Sequence, residues 1–186
     1  MTNPAFIVEG HLEKAFLEKI CPGRTVRKLE VNGRDVALDA IIKRVETLSI
    51  LFHGKHYPIV VVFDREGRGQ SAIEIAKIVR DGLAKKLPSD TFVVGVADRM
   101  TENWILADWA TLAQTIQDLP AIPPSNVEGG NGKALLRSLL KDKKYSATID
   151  GPRLLVQAKA HAIAQGSTSF EALRAQLSFG CAWLSS

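Results

Sequence analysis

Three short, continuous apolar runs constrain this chain most: AFIV from Ala5, PIVVVF from Pro58 and TFVVGVA from Thr91. A strand with one face in water alternates apolar and polar residues, whereas a strand buried on both faces reads as an unbroken apolar run. Between these runs lie segments of helical periodicity. His11 to Ile20 carries Leu12, Ala15, Phe16 and Leu17 at helical spacing, and Asp35 to Phe52 carries Val36, Ile41, Ile42, Val45, Leu48 and Leu51 on one side. Ser71 to Leu87 reads as another helix, and TVRKLEV from Thr25, followed by the turn signal NGRD, adds a further strand. Buried strands alternating with amphipathic helices predict an α/β fold, a mostly parallel sheet covered by helices on both faces.

The texture changes at Leu119. LPAIPPSNVEGGNGK is rich in Pro, Gly and polar residues, and the remainder is helical without a further convincing strand. The expected organisation is an α/β domain over residues 1–118 and a helical extension over residues 119–186 packed on it. A chain of 186 residues with 46% hydrophobic residues is long enough for one well-buried core. The start, MTNPAFIVEG, lacks the pattern of a secretory signal, and no apolar run reaches the roughly 20 residues that span a bilayer. A soluble cytoplasmic protein is expected. Cys21 and Cys181, one near each end and outside any CxxC or Cys/His ligand spacing, predict two reduced thiols rather than a disulfide or a zinc site. The net charge of +4 permits contact with a polyanion without demanding it.

In open α/β sheets, ligands gather beyond the carboxyl ends of parallel strands. Glu9 closes the first apolar run, Asp64 closes PIVVVF, and Asp98 follows TFVVGVA, so three strands deliver acids to one rim. Asp64 and Glu66, two apart, project the same way if the strand continues through Arg65, and Gly67 and Gly69 allow a tight turn beyond them. Two unit charges about 4 Å apart repel by roughly 4 kcal/mol at an effective dielectric of about 20. A hard divalent cation removes that penalty, and magnesium takes one or two carboxylates with waters and substrate phosphate around it.

The strand ending VEG, and a second strand ending in an acid-x-acid pair followed by glycine, resemble the TOPRIM domain shared by topoisomerases, bacterial primases and OLD-type nucleases. More narrowly, VEGHLEKAFLEKI, VVVFDREG, DRMTENWILADW and the tail GKALLRSLLKDKKYSATIDGPRLL…STSFEALRAQL resemble a branch of small bacterial TOPRIM-like proteins, from Phe6 to about Leu177. The resemblance implies proton transfer by Glu9 and a magnesium or manganese ion held by Asp64 and Glu66, with Glu9 beside it. It departs at Glu66, where aspartate is the commoner residue and the extra methylene moves the oxygens. Glu102, on TENWILADW, is either a first-turn acid favouring the helix dipole or, by the same resemblance, a second catalytic acid facing the metal rim.

Other marked residues have plainer readings. Thr101 suits an N-cap, Trp104 suits packing, His11 suits a helix surface, and Asp98 suits a pair with Arg99 or a cap on the next helix. GGNGKA is not a phosphate-binding loop, because Val127 and Ala134 stand where that pattern needs Gly and Ser or Thr. Lys133 nonetheless could reach a phosphate from a helix start, as could Lys143 and Lys144 in the basic cluster KDKKY. The resulting expectation is a magnesium- or manganese-dependent phosphodiesterase acting on DNA or RNA. OLD-type nucleases join a TOPRIM domain to an ATPase, so a partner-dependent or non-catalytic subunit of a defence-type AAA or ABC ATPase system is the first alternative. A binding domain for a small phosphorylated ligand is the second.

Overall fold

The structure, a computed structural model, describes residues 2–31, 33, 35–125, 127–140, 144–179 and 181–185. Among them, four strands form one sheet: β1 (Ala5–Val8), β2 (Thr25–Lys28), β3 (Ile59–Asp64) and β4 (Phe92–Ala97). Their order is β2-β1-β3-β4, and every pairing is parallel, with Val8 opposite Lys28 and Val62, and Asp64 opposite Ala97. Helices α1 (His11–Ile20), α2 (Leu38–Ile50) and α3 (Ala72–Lys86) connect the strands. The protein is thus an α/β protein with an all-parallel sheet flanked by helices.

Strand side chains alternate between two cores. Ile7, Ile59, Val61, Phe63, Val94 and Val96 face α2 and α3, while Phe6, Val8, Val60, Val62 and Val93 face the other layer. With both faces dry, every strand position has to be apolar, which is why β3 and β4 read as unbroken runs. The second layer holds α1 together with α4 (Glu102–Ala107), α5 (Trp109–Thr115), α6 (Gly132–Leu139), α7 (Asp150–Gln157), α8 (Ala160–Gly166) and α9 (Thr168–Arg174). A 3₁₀ turn, Ala182–Ser185, follows them.

Residues beyond position 118 therefore supply much of one covering layer, since Leu154, Leu155, Ile163, Phe170 and Leu173 share a core with the strands. Gly95 in β4 makes the closest approach: a Cβ there would fall 2.7 Å from Leu173 Cδ1, so the strand needs glycine where α9 crosses it. Among the described residues no helix is long and apolar enough to cross a membrane.

One boundary differs from the sequence reading. The helix expected from Asp35 begins only at Leu38, because Asp35 is in the left-handed region (φ 52°) and its carboxylate accepts the Gly67 N–H at 2.8 Å. Asp35 serves the loop after β3 instead of the helix.

Candidate carboxylate site

Parallel topology brings the ends of β1 and β3 side by side, and with them Glu9 and Asp64. The Glu9 N–H donates to the Val62 carbonyl at 3.0 Å, extending the ladder by one residue, and Glu9 Oε2 accepts the Asp64 N–H at 2.8 Å. Glu9 does not cap α1. Gly10 holds that position, and its N–H donates to Glu13 Oε2 at 3.0 Å.

Asp64 is fixed from the far side by Thr101, whose N–H and hydroxyl both donate to Asp64 Oδ1 at 2.9 Å. Thr101 does precede α4, as its sequence position suggests, yet its hydroxyl serves Asp64 and not the helix. Behind them stand two further carboxylates, Glu13 on α1 and Glu102 on α4, each only 6% exposed. The Tyr145 hydroxyl donates to Glu102 Oε1 at 3.3 Å.

Four neighbouring acids, Glu13 and Glu102 buried and Glu9 and Asp64 half-buried, make the site electrostatically tense. Burial, followed by the charges of Glu13, Glu9 and Glu102, pushes Asp64 well above the usual carboxylate range. Burial likewise raises Glu9, against the opposing pull of the Asp64 N–H, and raises Glu13. The Tyr145 phenol is pushed up by burial and by the neighbouring Glu102 charge. Among the described residues none of these four carboxylates forms an ion pair with Lys, Arg or His.

Thr101 lies against both Asp64 and Glu13, but one hydroxyl proton cannot serve two ionised acids. Burial raises both acids, and one retained proton between them relieves the conflict at Thr101 Oγ1.

The remaining expected residues fall elsewhere. Glu66 sits in the left-handed region (φ 56°), and its Oε2 accepts the Asp35 N–H and lies 3.9 Å from Arg68 Nη1. Its charge is felt at Glu9, but its carboxylate is turned to the Asp35 loop. Arg68 gives its guanidinium to the carbonyls of Asp64, Arg65 and Val36. Asp98 pairs with Arg65 and not with Arg99. Trp104 is packing, with Nε1 donating to Ser169 Oγ at 3.0 Å and its ring edge-on to Phe170. His11 is on the helix surface against Lys28 Nζ.

Lys133 opens α6, and that helix start rests on the start of α4, because Gly132 has no Cβ to strike the Asn103 N at 2.9 Å or the Glu102 carbonyl carbon at 3.0 Å. Lys144 is exposed immediately before Tyr145, while Lys143 lies outside the described residues.

Sequence reasoning missed Glu13, the Thr101 hydroxyl and Tyr145. Glu13 did carry a signal: it neighbours Leu12 and lies three and four positions before Phe16 and Leu17, so it is an acid on the apolar stripe of α1. Tyr145 was hidden by the lysines before it, and a threonine at a helix start points first to capping.

The donor set fits a hard divalent cation in its chemistry, being all carboxylate oxygen with no basic partner. In arrangement, among the described residues no group of three or more His, Cys, Asp and Glu side chains is set to hold a metal ion. The trio Glu9, Asp64 and Glu66 is not assembled, since Glu66 faces Asp35. Glu9 and Asp64 remain adjacent, and two carboxylates are the usual protein share of a magnesium site.

This α/β carboxylate protein belongs to a family described as a domain of unknown function, DUF4276, whose profile matches residues 8–178. No curated protein and no solved structure matches the chain.

Proposed function

We propose that this chain is a metal-dependent phosphodiesterase acting on nucleic acid, with a magnesium or manganese ion at Glu9 and Asp64. The observation that carries the reading is the cluster of Glu9, Glu13, Asp64 and Glu102 at the carboxyl rim of the sheet, unpaired with any Lys, Arg or His among the described residues, with Glu9, Glu13 and Asp64 raised in pKa by burial. A structural role alone gives no reason to gather like charges where each disfavours the others.

A bound divalent ion would neutralise phosphate charge and lower the pKa of a bound water. Asp64 holds its place through two bonds from Thr101. Glu9, beside Asp64 and raised in pKa by burial, is placed to exchange a proton with the attacking water or the leaving oxygen. Glu102, oriented by Tyr145, is a reserve acid behind them. Lys133 at the start of α6 and the exposed Lys144 are candidate backbone-phosphate contacts, with Lys143 beside Lys144 in sequence.

The test is cleavage of single- and double-stranded DNA and RNA by the purified chain with magnesium, manganese or chelator. Metal-dependent cleavage abolished by Glu9→Gln and by Asp64→Asn is expected. Cleavage indifferent to chelator and to both substitutions would overturn the reading.

One observation favours a second reading, a subunit completed by a separate AAA or ABC ATPase: two adjacent carboxylates are to hand where the resemblance implied three. That reading expects an inactive isolated chain and an ATPase encoded beside it. Activity restored by co-expression with that neighbour would favour it.

A further inference from the structure

We propose that Cys21 and Cys181 form a redox-sensitive pair, which a hydroperoxide converts into an intrachain disulfide fastening the C-terminal turn to α1. The two thiols are 160 residues apart in sequence, yet their sulfurs lie 2.7 Å apart, and both are free. These are the only two cysteines of the chain. Contact between them depends wholly on the tertiary fold.

The surroundings keep the pair together. Cys21 caps the C-terminus of α1, and Cys181 immediately precedes the 3₁₀ turn. The Cys21 thiol donates to Cys181 Sγ, and the Cys181 thiol donates to the Ile20 carbonyl at 3.3 Å. Two residues on, the Trp183 ring lies edge-on to Phe16 at 4.8 Å and to Phe170 at 5.8 Å. The segment therefore packs between α1 and α9 through Trp183, and Trp183 and Leu184 line a cavity together with Phe16, Leu17, Ile20 and Cys21. No large movement is needed to join the sulfurs.

Cys21 is half-buried and Cys181 buried, so the oxidant meets Cys21 first. The Cys21 thiolate attacks one peroxide oxygen, the O–O bond breaks, and water leaves with a proton from solvent, giving a sulfenic acid. The Cys181 sulfur then attacks the Cys21 sulfur, the S–O bond breaks, and a second water leaves with the Cys181 proton. Two thiols and one hydrogen peroxide become one disulfide and two waters; each sulfur is oxidised and the peroxide oxygens are reduced. Burial and the neighbouring Cys181 push the Cys21 thiol up to about 12. Thiolate is then scarce at neutral pH, and the reaction quickens about tenfold per pH unit below that value. The pair is a slow lock that responds to sustained oxidation.

The experiment uses the full chain, reduced, freed of reductant, and treated with hydrogen peroxide at pH 7 and pH 9. Expected are the loss of both thiols under denaturing conditions, a monomer lighter by two hydrogen atoms, and a Cys21–Cys181 cross-linked peptide. The melting temperature should rise by about 5–15 °C, reversibly with a reductant and faster at pH 9. Cys21→Ser and Cys181→Ser should each fold like the reduced chain and lose the shift. Persistence of both thiols at pH 9, sulfinic acid at Cys21 with Cys181 still free, or disulfides only between chains would each overturn the proposal.

Discussion

Glu9 and Asp64 are joined side chain to backbone: Oε2 of the first accepts the N–H of the second at 2.8 Å across the parallel pair β1 and β3. The bond uses the oxygen of Glu9 that a glutamine can supply as its amide carbonyl. Glu9→Gln should therefore keep the fold and, by removing one charge from the cluster, leave the metal-free melting temperature unchanged or slightly higher. Phosphodiester cleavage should fall by at least about 10²-fold, the usual scale for loss of a general acid or base. Glu9→Ala, which removes the acceptor as well, should melt earlier, by about 1–3 kcal/mol of stability for a backbone N–H left unpartnered. Calorimetry beside a manganese-supported cleavage assay checks both, and a Glu9→Gln variant that cuts normally would remove the residue from the chemistry.

Thr101 is fully buried and supplies both bonds to Asp64 Oδ1. Thr101→Val keeps the shape and the backbone bond but leaves Asp64 and Glu13 facing each other without a hydroxyl between them. A stability loss of about 1–3 kcal/mol in urea denaturation is expected, with Thr101→Ser recovering most of it. Equal stability of the valine and serine variants would mean that the hydroxyl carries no part of the site.

The raised carboxyls set the pH dependence of the metal-free chain. Asp64, Glu9 and Glu13 hold protons more tightly folded than unfolded, so over the pH range between the unfolded and folded pKa values the folded state binds more protons. Stability then falls as pH rises through that range and is recovered as pH is lowered toward the ordinary carboxylate value near 4. Melting temperature should accordingly rise as pH is lowered from 8 toward 5, and Asp64→Asn should flatten the rise while melting higher than wild type at pH 8. A wild-type melting temperature that falls over the same interval would contradict the raised values.

The sheet was legible because burial on both faces forces its strands to be apolar, as PIVVVF and FVVGVA show without alternation. Glu9 and Asp64 were legible for a related reason: an acid that ends such a run can only be at a rim. What the one-dimensional pattern does not carry is the turn after β3. Glu66 was expected beside Asp64 on strand geometry, but the chain leaves the strand at Asp64 and enters the left-handed region at Glu66, which turns the carboxylate to Asp35. Side-chain direction in a loop depends on dihedral angles that glycine-rich sequence permits without specifying. The meeting of Glu13, Thr101 and Asp64 is likewise tertiary, joining α1, the start of α4 and β3. The two cysteines gave no local signal either, because nothing within ten residues of one points to the other.

Gly132 tests the contact that places Lys133. Alanine in the first turn of a helix ordinarily stabilises it by up to about 1 kcal/mol over glycine. Here the new methyl would meet Asn103 Oδ1, and it would lie 2.9 Å from the Asn103 N and 3.0 Å from the Glu102 carbonyl carbon, backbone atoms that cannot swing away. Overpacking should win, so Gly132→Ala should lose about 1–3 kcal/mol in chemical denaturation and weaken nucleic-acid binding by displacing α6 from α4. A stabilised variant would show that α6 moves freely against α4.

Metal binding should depend on Asp64 far more than on Glu66. Thr101 holds the Asp64 carboxylate through two bonds to Oδ1, so an ion meets an oriented ligand and little side-chain freedom has to be lost on binding. Glu66 would have to leave the Asp35 N–H and the neighbourhood of Arg68 to reach the same ion. Glu66→Gln keeps an acceptor for Asp35, so it should leave the loop intact and change manganese affinity by less than about threefold, roughly 0.6 kcal/mol. Asp64→Asn should weaken it by at least about 30-fold, roughly 2 kcal/mol. Titration calorimetry with manganese, run at one pH for all variants, measures both numbers directly. If Glu66→Gln lost affinity as severely as Asp64→Asn, the ion would be drawing Glu66 away from Asp35, and the loop after β3 would have to rearrange around the metal.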